Sequence, residues 1–395
     1  MTVRPKLLMV SNFFDTHRGG LEIVAGRLAR ELANRGFEVT WLATRTCEPP
    51  ADACSQRIRP VSVGAWNIAE RRFGLPFPLL SPAAARRVFR EVGAADVVVV
   101  HDSLYPISLV AFLAARWARR PLVIIQHIGA IPYRNPVLRG LMTLANRFVG
   151  APLMSGANQV VFISEVVRHH FARLPLKSPR LIFNGVDTEV FRPAGEGEKA
   201  AARARLGLPA DRPVALFVGR FVEKKGVHLL RLAAERRPGV TWALAGWGVI
   251  DPAAWGLENL QVFSDLSGES LAELYRASDV FVLPSQGEGF PLVVQEALAC
   301  GLPVVCGTEC VGADPTAAPL LEGVDVAGGD DEAAADRVAC AVDVALTRNA
   351  AALAAQRSQF VRGRYAWSAA ADQYAEIARS LIGERAGAMG AVGGG

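Results

Sequence analysis

The chain has 395 residues, 51% of them hydrophobic and 21% charged, a length at which one core usually stops growing and two domains are expected. That composition is ordinary for a globular protein and excludes the disordered and fibrous classes. The net charge of +5 hides an asymmetry: residues 1–180 carry 24 Lys and Arg against 11 Asp and Glu, a net of +13, and the remainder carries −8.

A basic amino-terminal half suits an anionic acceptor or an anionic membrane surface, and an arginine-rich solvated face would look the same. Nucleic acid is not expected as a partner, because no recognition motif accompanies the charge. Residues 6–10 read as an apolar strand, followed by the loop S-N-F-F-D-T-H-R-G-G, which ends at Gly19 and Gly20. A helix is expected over 21–34, with Leu21, Val24, Leu28 and Leu32 on one face and Gly36 after its end. Two glycines at a helix start let a phosphate or sugar approach closely. A dinucleotide site would instead need G-x-G-x-x-G here and an acidic residue ending the second strand, and neither is present.

Strands are expected at 39–43, 97–100, 122–125, 160–163 and 181–183, each short and rich in Val or Ile. Fully apolar strands separated by helical segments mean a parallel sheet covered on both faces, with ligands at the carboxyl ends of its strands. His101, His127, Ser164 and Asn184 stand at or just past such ends; His101, Asp102 and Asn184 are candidate acceptor contacts. Between the first and second of these strands lies R-R-F-G-L-P-F-P-L-L (71–80), then Arg86, Arg87 and Arg90. Aromatic and leucine side chains beside arginines could rest at a lipid headgroup boundary, or the loop could pack on the sheet.

The string F-N-G-V-D, with Asn184 to Asp187, is followed by interrupted patterning near 191–197, which sets the expected domain boundary between 192 and 193. After a short helix at 199–206, a second sheet is expected from strands at 214–218, 241–245, 261–263, 280–283, 304–306 and 325–327. The first of them ends in G-R-F-V-E-K-K-G, where Arg220 and a lysine five residues on can converge on one diphosphate. Such neutralisation by side chains removes the need for a metal, and no D-x-D string suggests one. The next strand ends in L-A-G-W-G, with Gly246, Trp247 and Gly248, and Asp265 follows the third.

Residues 283–305, L-P-S-Q-G-E-G-F-P-L-V-V-Q-E-A-L-A-C-G-L-P-V-V, form a strand, loop, helix and strand unit. Gly287 and Gly289 allow close backbone approach, and a helix opening at Pro291 presents unpaired amides to a phosphate or sugar oxygen. Glu288 on the loop and Glu296 on the helix can accept paired hydrogen bonds from polyol hydroxyls, so that one could hold a sugar and the other a ribose.

The string E-G-F-P-L-V-V-Q-E-A resembles the signature of retaining glycosyltransferases of family 4. The resemblance implies an α/β GT-B architecture: two Rossmann-like doubly wound domains facing across a cleft, with a final helix crossing back to the first. It implies a nucleotide-sugar donor, UDP- or GDP-linked, held mainly by the second domain, and a saccharide or lipid-linked acceptor on the first. Glu288, His127, Arg220 and Lys225 are then the catalytic group, with the glycine after Lys225 choosing it over Lys224. Gly19 and Gly20 (in G-G-L-E), Gly246, Gly248, Asp265, Gly289, Phe290, Pro291, Leu292 and Glu296 complete the donor site. Trp247 departs from the small or acidic residue many members carry there. No metal or other cofactor is implied, and transfer of a hexose-type sugar in bacterial surface polysaccharide or glycolipid assembly is the expected setting. A soluble small-molecule acceptor, or a non-catalytic nucleotide-sugar-binding partner, are the alternatives.

Beyond residue 305 the chain is alanine-rich and helical over 330–361, and Ser368 is placed to cap a last helix to about 382. By the resemblance, residues 367–383 complete the first domain (1–192) and 193–366 form the second; the glycine-rich composition of 384–395 reads as a flexible tail. Apolar runs such as 107–115 fall short of the roughly 20 residues a membrane span needs, and no signal peptide is read at the start, so a cytoplasmic protein is expected, in peripheral contact with the membrane if the basic half and 71–90 touch lipid. Cys47, Cys54, Cys300, Cys306, Cys310 and Cys340 match no zinc spacing and are read as reduced thiols.

Overall fold

In the computed structural model, residues 4–17, 19–45, 47–51, 57–66, 77–129, 136–348 and 351–392 are described. The Val- and Ile-rich runs become strands because β-branched side chains pack well on a pleated surface. In the first unit these are β1 Lys6–Val10, β2 Glu38–Thr44, β3 Ile58–Val63, the short pair β4 Ala65–Trp66 and β5 Leu79–Leu80, then β6 Val97–His101, β7 Leu122–Gln126, β8 Gln159–Phe162 and β9 Pro179–Leu181. Seven of them form a parallel sheet in the order β3-β2-β1-β6-β7-β8-β9. The order reverses between β1 and β6, where Met9 lies in register with Val99, and ligands collect at the carboxyl ends beside such a reversal.

The second unit repeats the plan with β10 Val214–Phe221, β11 Thr241–Gly248, β12 Leu260–Phe263, β13 Val280–Leu283, β14 Val304–Gly307 and β15 Leu321–Val324. All pair in parallel in the order β12-β11-β10-β13-β14-β15, with the reversal between β10 and β13. β13 and β14 are buried throughout. Helices Leu292–Ala299 and Asp331–Thr347 pack against them, the second burying Ala334, Ala335, Val338, Ala339 and Val342. In the first unit, helix Gly20–Asn34 buries Val24, Leu28 and Leu32, and helix Pro82–Ala94 is started by Ser81, whose hydroxyl accepts the Ala84 amide at 3.2 Å.

Several expectations are corrected. β3 was not foreseen because Arg59 and Pro60 interrupt its apolar run; it is an edge strand, where proline is tolerated. The last strand falls at Leu321–Val324, not 325–327: Asp325 instead turns the chain, its side chain accepting the Ala327 amide at 2.9 Å. The compact units are 1–184 with 367–395, and 185–366, so the boundary lies ahead of residue 192. The intervening segment belongs to the second unit: the Val186 amide donates to Tyr365 O at 2.7 Å, and Phe191 meets Tyr275 edge-on at 5.7 Å.

The alanine-rich stretch forms two helices, Asp331–Thr347 and Ala351–Arg364. Ser368 does not cap the last helix, which starts at Trp367 and runs to Val392, through what was read as a flexible tail from 384. Its flank is rich in alanine, the best helix former, with no proline to stop it. The helix packs on Gly20–Asn34 within the first unit, where Arg35 Nε donates to Asp372 Oδ1 at 2.7 Å and the Arg379 guanidinium lies 5.3 Å over the Phe37 ring. Phe77 turns inward against Tyr105, centroids 5.9 Å apart, rather than outward; residues 71–76 of the basic loop, Phe73 among them, lie outside the described residues. Cys47, Cys300, Cys306, Cys310 and Cys340 are free thiols, and Cys54 lies outside the described residues. Among the described residues no single helix is long and apolar enough to cross a membrane.

Candidate active site

At the reversal of the second sheet, β10 and β11 run side by side to their carboxyl ends, with Arg220 in register with Trp247 and Phe221 with Gly248. The Arg220 guanidinium sits 4.8 Å over the Trp247 ring, a cation–π contact that holds an otherwise exposed arginine. A Cβ on Gly246, at φ 154°, would run into the Gly219 carbonyl, and one on Gly248 into the Phe221 carbonyl. Both glycines were expected under a ligand; the neighbouring strand accounts for their lack of a side chain.

Past Arg220 the chain makes a 3-10 turn, Glu223–Lys225, closed by Gly226 at φ 71°. No side chain fits at Gly226, because a Cβ would strike the Pro284 carbonyl. The turn therefore lies directly on the loop after β13, and the Gln286 amide donates to Lys224 O at 3.2 Å. This docking brings Lys225 Nζ to 3.0 Å from Glu288 Oε1, with Lys224 Nζ 3.5 Å from the same oxygen. Burial pushes the Glu288 carboxyl up, but Lys225 and then Lys224 outweigh it and hold the group below its ordinary value. Lys224, passed over in the sequence, thus joins the cluster; the sequence signal was its adjacency alone.

The loop carrying Glu288 is fixed from both sides. Gly287, at φ 65°, donates its amide to Glu309 Oε2 at 2.6 Å. Phe290 was named as part of the donor site; its side chain is buried and meets Tyr365 edge-on at 5.4 Å, so it anchors the loop. Tyr365 in turn donates its hydroxyl to Asp314, which also accepts from Arg364 Nη2 at 3.0 Å. Gly289 and Pro291 then lead into helix Leu292–Ala299, with Pro291 as its N-cap. The amides of Leu292 and Val293 come before the helical ladder and have no intrahelical acceptor, which leaves them for an anion or a hydroxyl. Glu296, on the second turn, accepts the Tyr275 hydroxyl at 3.0 Å on Oε2. Burial raises its carboxyl to about 7, tempered by that hydrogen bond. Asp265, at φ 58°, lies past the edge strand β12, separated from β10 by β11, and is not brought to the lysine cluster.

In the first unit the reversal edge carries a second polar group. His127 follows β7 and His101 ends β6; their rings stack at 5.2 Å, with His101 Nδ1 3.0 Å from His127 Nε2. His101 is 0% exposed and His127 6%, so His127 alone reaches the surface and His101, expected as an acceptor contact, lies beneath it. Burial pushes His127 down to about 3; burial and the neighbouring ring push His101 well below its ordinary value, so both are neutral. Asp102, at φ 66° and 2% exposed, is likewise no open contact. Its Oδ1 accepts from the Leu104 amide at 3.3 Å and from Gln126 Nε2 at 3.2 Å, and burial raises its carboxyl to about 6.

Gly19, the extended N-cap of helix Gly20–Asn34, and Gly20 stand at the carboxyl end of β1, as expected. A Cβ on Gly20 would meet nothing within 4 Å, whereas one on Gly19 would run into the carboxylate of Glu22, which folds back over the helix start. Asn184, buried, is the last residue of the first unit and follows the edge strand β9, away from the reversal. Among the described residues, no group of three or more His, Cys, Asp or Glu is placed to hold a metal ion.

Comparison with known proteins adds a family to this geometry. The family described as Glycosyltransferase Family 4 matches residues 18–190, and that described as Glycosyl transferases group 1 matches 198–357. A D-inositol 3-phosphate glycosyltransferase of Saccharomonospora viridis is 32% identical, over 92% of this chain and 90% of its own. Among solved structures, sucrose-phosphate synthase from Thermosynechococcus elongatus superposes with a TM-score of 0.72 at 22% identity, covering 96% of this chain and 100% of its own. Anabaena HepE in complex with UDP and glucose superposes with a TM-score of 0.70 at 21% identity, covering 95% of this chain and 100% of its own. With two Rossmann-like parallel sheets and matches along both units, the chain belongs to the family 4 glycosyltransferases of GT-B fold.

Proposed function

We propose that the enzyme transfers a hexose-type sugar from a UDP- or GDP-linked donor, with retention of configuration and without a metal ion, to an anionic small-molecule acceptor. The observation that carries this reading is the Lys225–Glu288–Lys224 cluster beside Arg220 at the reversal of the second sheet. An incoming diphosphate offers Lys225 a second, doubly charged partner, and Lys224 remains to balance Glu288. Arg220, Lys225 and the amides of Leu292 and Val293 then stabilise the charge that develops on the leaving diphosphate, which is where catalysis needs it. Glu288 positions the sugar, His127 contacts a hydroxyl, and Glu296 accepts from the ribose hydroxyls. The leaving diphosphate takes the acceptor's proton on the face it departs from. The bound UDP and glucose of HepE support the donor class.

For the acceptor, relatives named for D-inositol 3-phosphate take a phosphorylated polyol, and the net +13 of residues 1–180 suits a ligand of that charge. The cytoplasm is the proposed site of action. Incubation with UDP- and GDP-sugars and a panel of phosphorylated polyols, with the anomeric configuration of the product read by NMR, tests the reading; an inverted product, or transfer only with added metal, would sink it.

A lipid-linked acceptor of surface polysaccharide assembly is the second reading, and one surface favours it. Leu141, Leu144 and Phe148, spaced three and four residues apart along 136–150, are 53–66% exposed, with Arg139 and Arg147 among them also exposed. Flotation with anionic liposomes separates the readings: a lipid-facing enzyme floats and a Leu144→Ser/Phe148→Ser variant does not.

A further inference from the structure

Three neighbouring strands of the first sheet each contribute one side chain to a single file. Met9 comes from β1, His101 ends β6, and His127 follows β7. His101 Nε2 lies 2.9 Å from Met9 Sδ, and His101 Nδ1 lies 3.0 Å from His127 Nε2. Met9 and His101 are both 0% exposed, so no water competes for these contacts.

The chemistry of the three groups leaves one arrangement of protons. A thioether sulfur has no proton to give and only accepts, so the imidazole nitrogen facing it must carry N–H. The opposite tautomer would set a nitrogen lone pair against the sulfur lone pairs. A doubly protonated His101 is disfavoured by complete burial with no carboxylate paired to it. His101 is therefore the Nε2–H tautomer, and its Nδ1 is an acceptor. That acceptor faces His127 Nε2, which must then be the donor. A neutral His127 carrying its proton on Nε2 has a bare Nδ1, and Nδ1 is its one remaining polar atom.

The geometry points to Met9 and His101 as positioning residues that fix the tautomer of His127, so that His127 presents Nδ1 to the site as a hydrogen-bond acceptor for a ligand hydroxyl. A histidine free to change tautomer would offer a donor part of the time, and a hydroxyl would meet it in the wrong state. Fixing the proton also makes the ring selective: it accepts from a hydroxyl and offers nothing to a carbonyl or carboxylate oxygen in the same place. The buried thioether thus sets hydrogen-bond polarity at the protein surface through two rings, the way an outer partner sets which nitrogen of a ligating histidine is free.

The consequence for ligand binding rests on the reading of His127 as a ligand contact; the tautomers themselves do not, and the test separates the two. Heteronuclear NMR of the ring nitrogens in histidine-labelled full-length enzyme, assigned with His101→Asn and His127→Ala, reads them directly. Both histidines are expected as neutral Nε2–H tautomers throughout the neutral pH range. A proton on Nδ1 of either ring, or a charged ring at neutral pH, would overturn the inference.

Activity supplies the second readout. His101→Leu removes the acceptor that His127 leans on, and should move part of the His127 population to the Nδ1–H form and lower kcat/KM about tenfold, the scale of one hydrogen bond. His101→Asn can return an amide oxygen to the place of Nδ1 and should recover most of the loss, while circular dichroism of both variants reports that they fold. An unchanged His127 tautomer in His101→Leu would overturn the relay. Should the tautomers be as expected while His127→Ala keeps full activity, the relay stands and the ligand role of His127 fails.

Discussion

Lys225 Nζ and Glu288 Oε1 lie 3.0 Å apart, joining the turn after β10 to the loop after β13 across the point where the strand order reverses. The pair is mostly withdrawn from water, with side chains 19% and 15% exposed, so the Lys225 charge is held largely by Glu288 and the Glu288 charge by Lys225 together with Lys224. Removing either partner leaves the other stranded in the site. Lys225→Ala and Glu288→Ala should each lower turnover by about 10² or more, the scale of one transition-state contact. Steady-state kinetics check this, and near wild-type rates in either variant would refute its role. Lys224→Ala, 3.5 Å from the same carboxylate and more exposed, should cost clearly less.

Arg220 rests on Trp247, an indole in a place where the sequence pattern of the family led us to expect a small or acidic residue. An exposed cation–π contact is worth about 0.5–1 kcal/mol, so Trp247→Ala should raise the KM for the nucleotide-sugar about twofold to fivefold with little change in kcat. Trp247→Phe, which keeps an aromatic face, should behave nearly as wild type. A fall in kcat without a change in KM would show that the indole acts on something other than donor binding.

Glu296 titrates near neutrality because burial raises its carboxyl to about 7. A carboxyl whose pKa is raised on folding contributes most when protonated; that stability is present below the ordinary carboxyl range and is lost as pH rises through about 7. Wild type should therefore lose stability relative to Glu296→Gln between about pH 4.5 and 7. The ionised form is the better acceptor for ribose hydroxyls, so nucleotide affinity should strengthen over the upper part of that range in wild type and stay flat in Glu296→Gln. Denaturant melts and calorimetric titrations across pH measure both slopes, and parallel profiles for the two proteins would contradict the assignment.

Asp314 has no exposed side-chain surface and accepts from Arg364 and Tyr365, whose ring braces Phe290 in the loop that carries Glu288. Asp314→Ala strands both donors and should destabilise the second unit by about 3 kcal/mol. Urea unfolding followed by tryptophan fluorescence gives the value; a loss under 1 kcal/mol would mean that water replaces the carboxylate.

What the sequence made legible follows the range of the forces involved. Val97–His101 and Val280–Leu283 announced themselves because a strand buried on both faces must be apolar along its length. The E-G-F-P-L-V-V-Q-E-A string announced the loop and helix that carry Glu288 and Glu296. Ile58–Val63 escaped because an edge strand is released from that constraint and carries Arg59 and Pro60. The packing of Phe290 on Tyr365 was not legible because the two are distant in sequence and adjacent only in the fold. For the same reason His101 and His127 appeared as two separate strand-end histidines: only the pairing of β6 with β7 brings their rings to 5.2 Å.

The most direct test of the central claim, that Arg220 and Lys225 hold a nucleoside diphosphate without a metal, is thermal stability of wild type, Arg220→Ala and Lys225→Ala with UDP, GDP and ADP, each with EDTA and with magnesium. At about 100 times its dissociation constant, a ligand should add roughly 2.7 kcal/mol. A stabilisation of wild type by UDP or GDP that survives EDTA and is lost in both variants is the predicted result. Stabilisation that EDTA abolishes, or that the two variants keep in full, would contradict it.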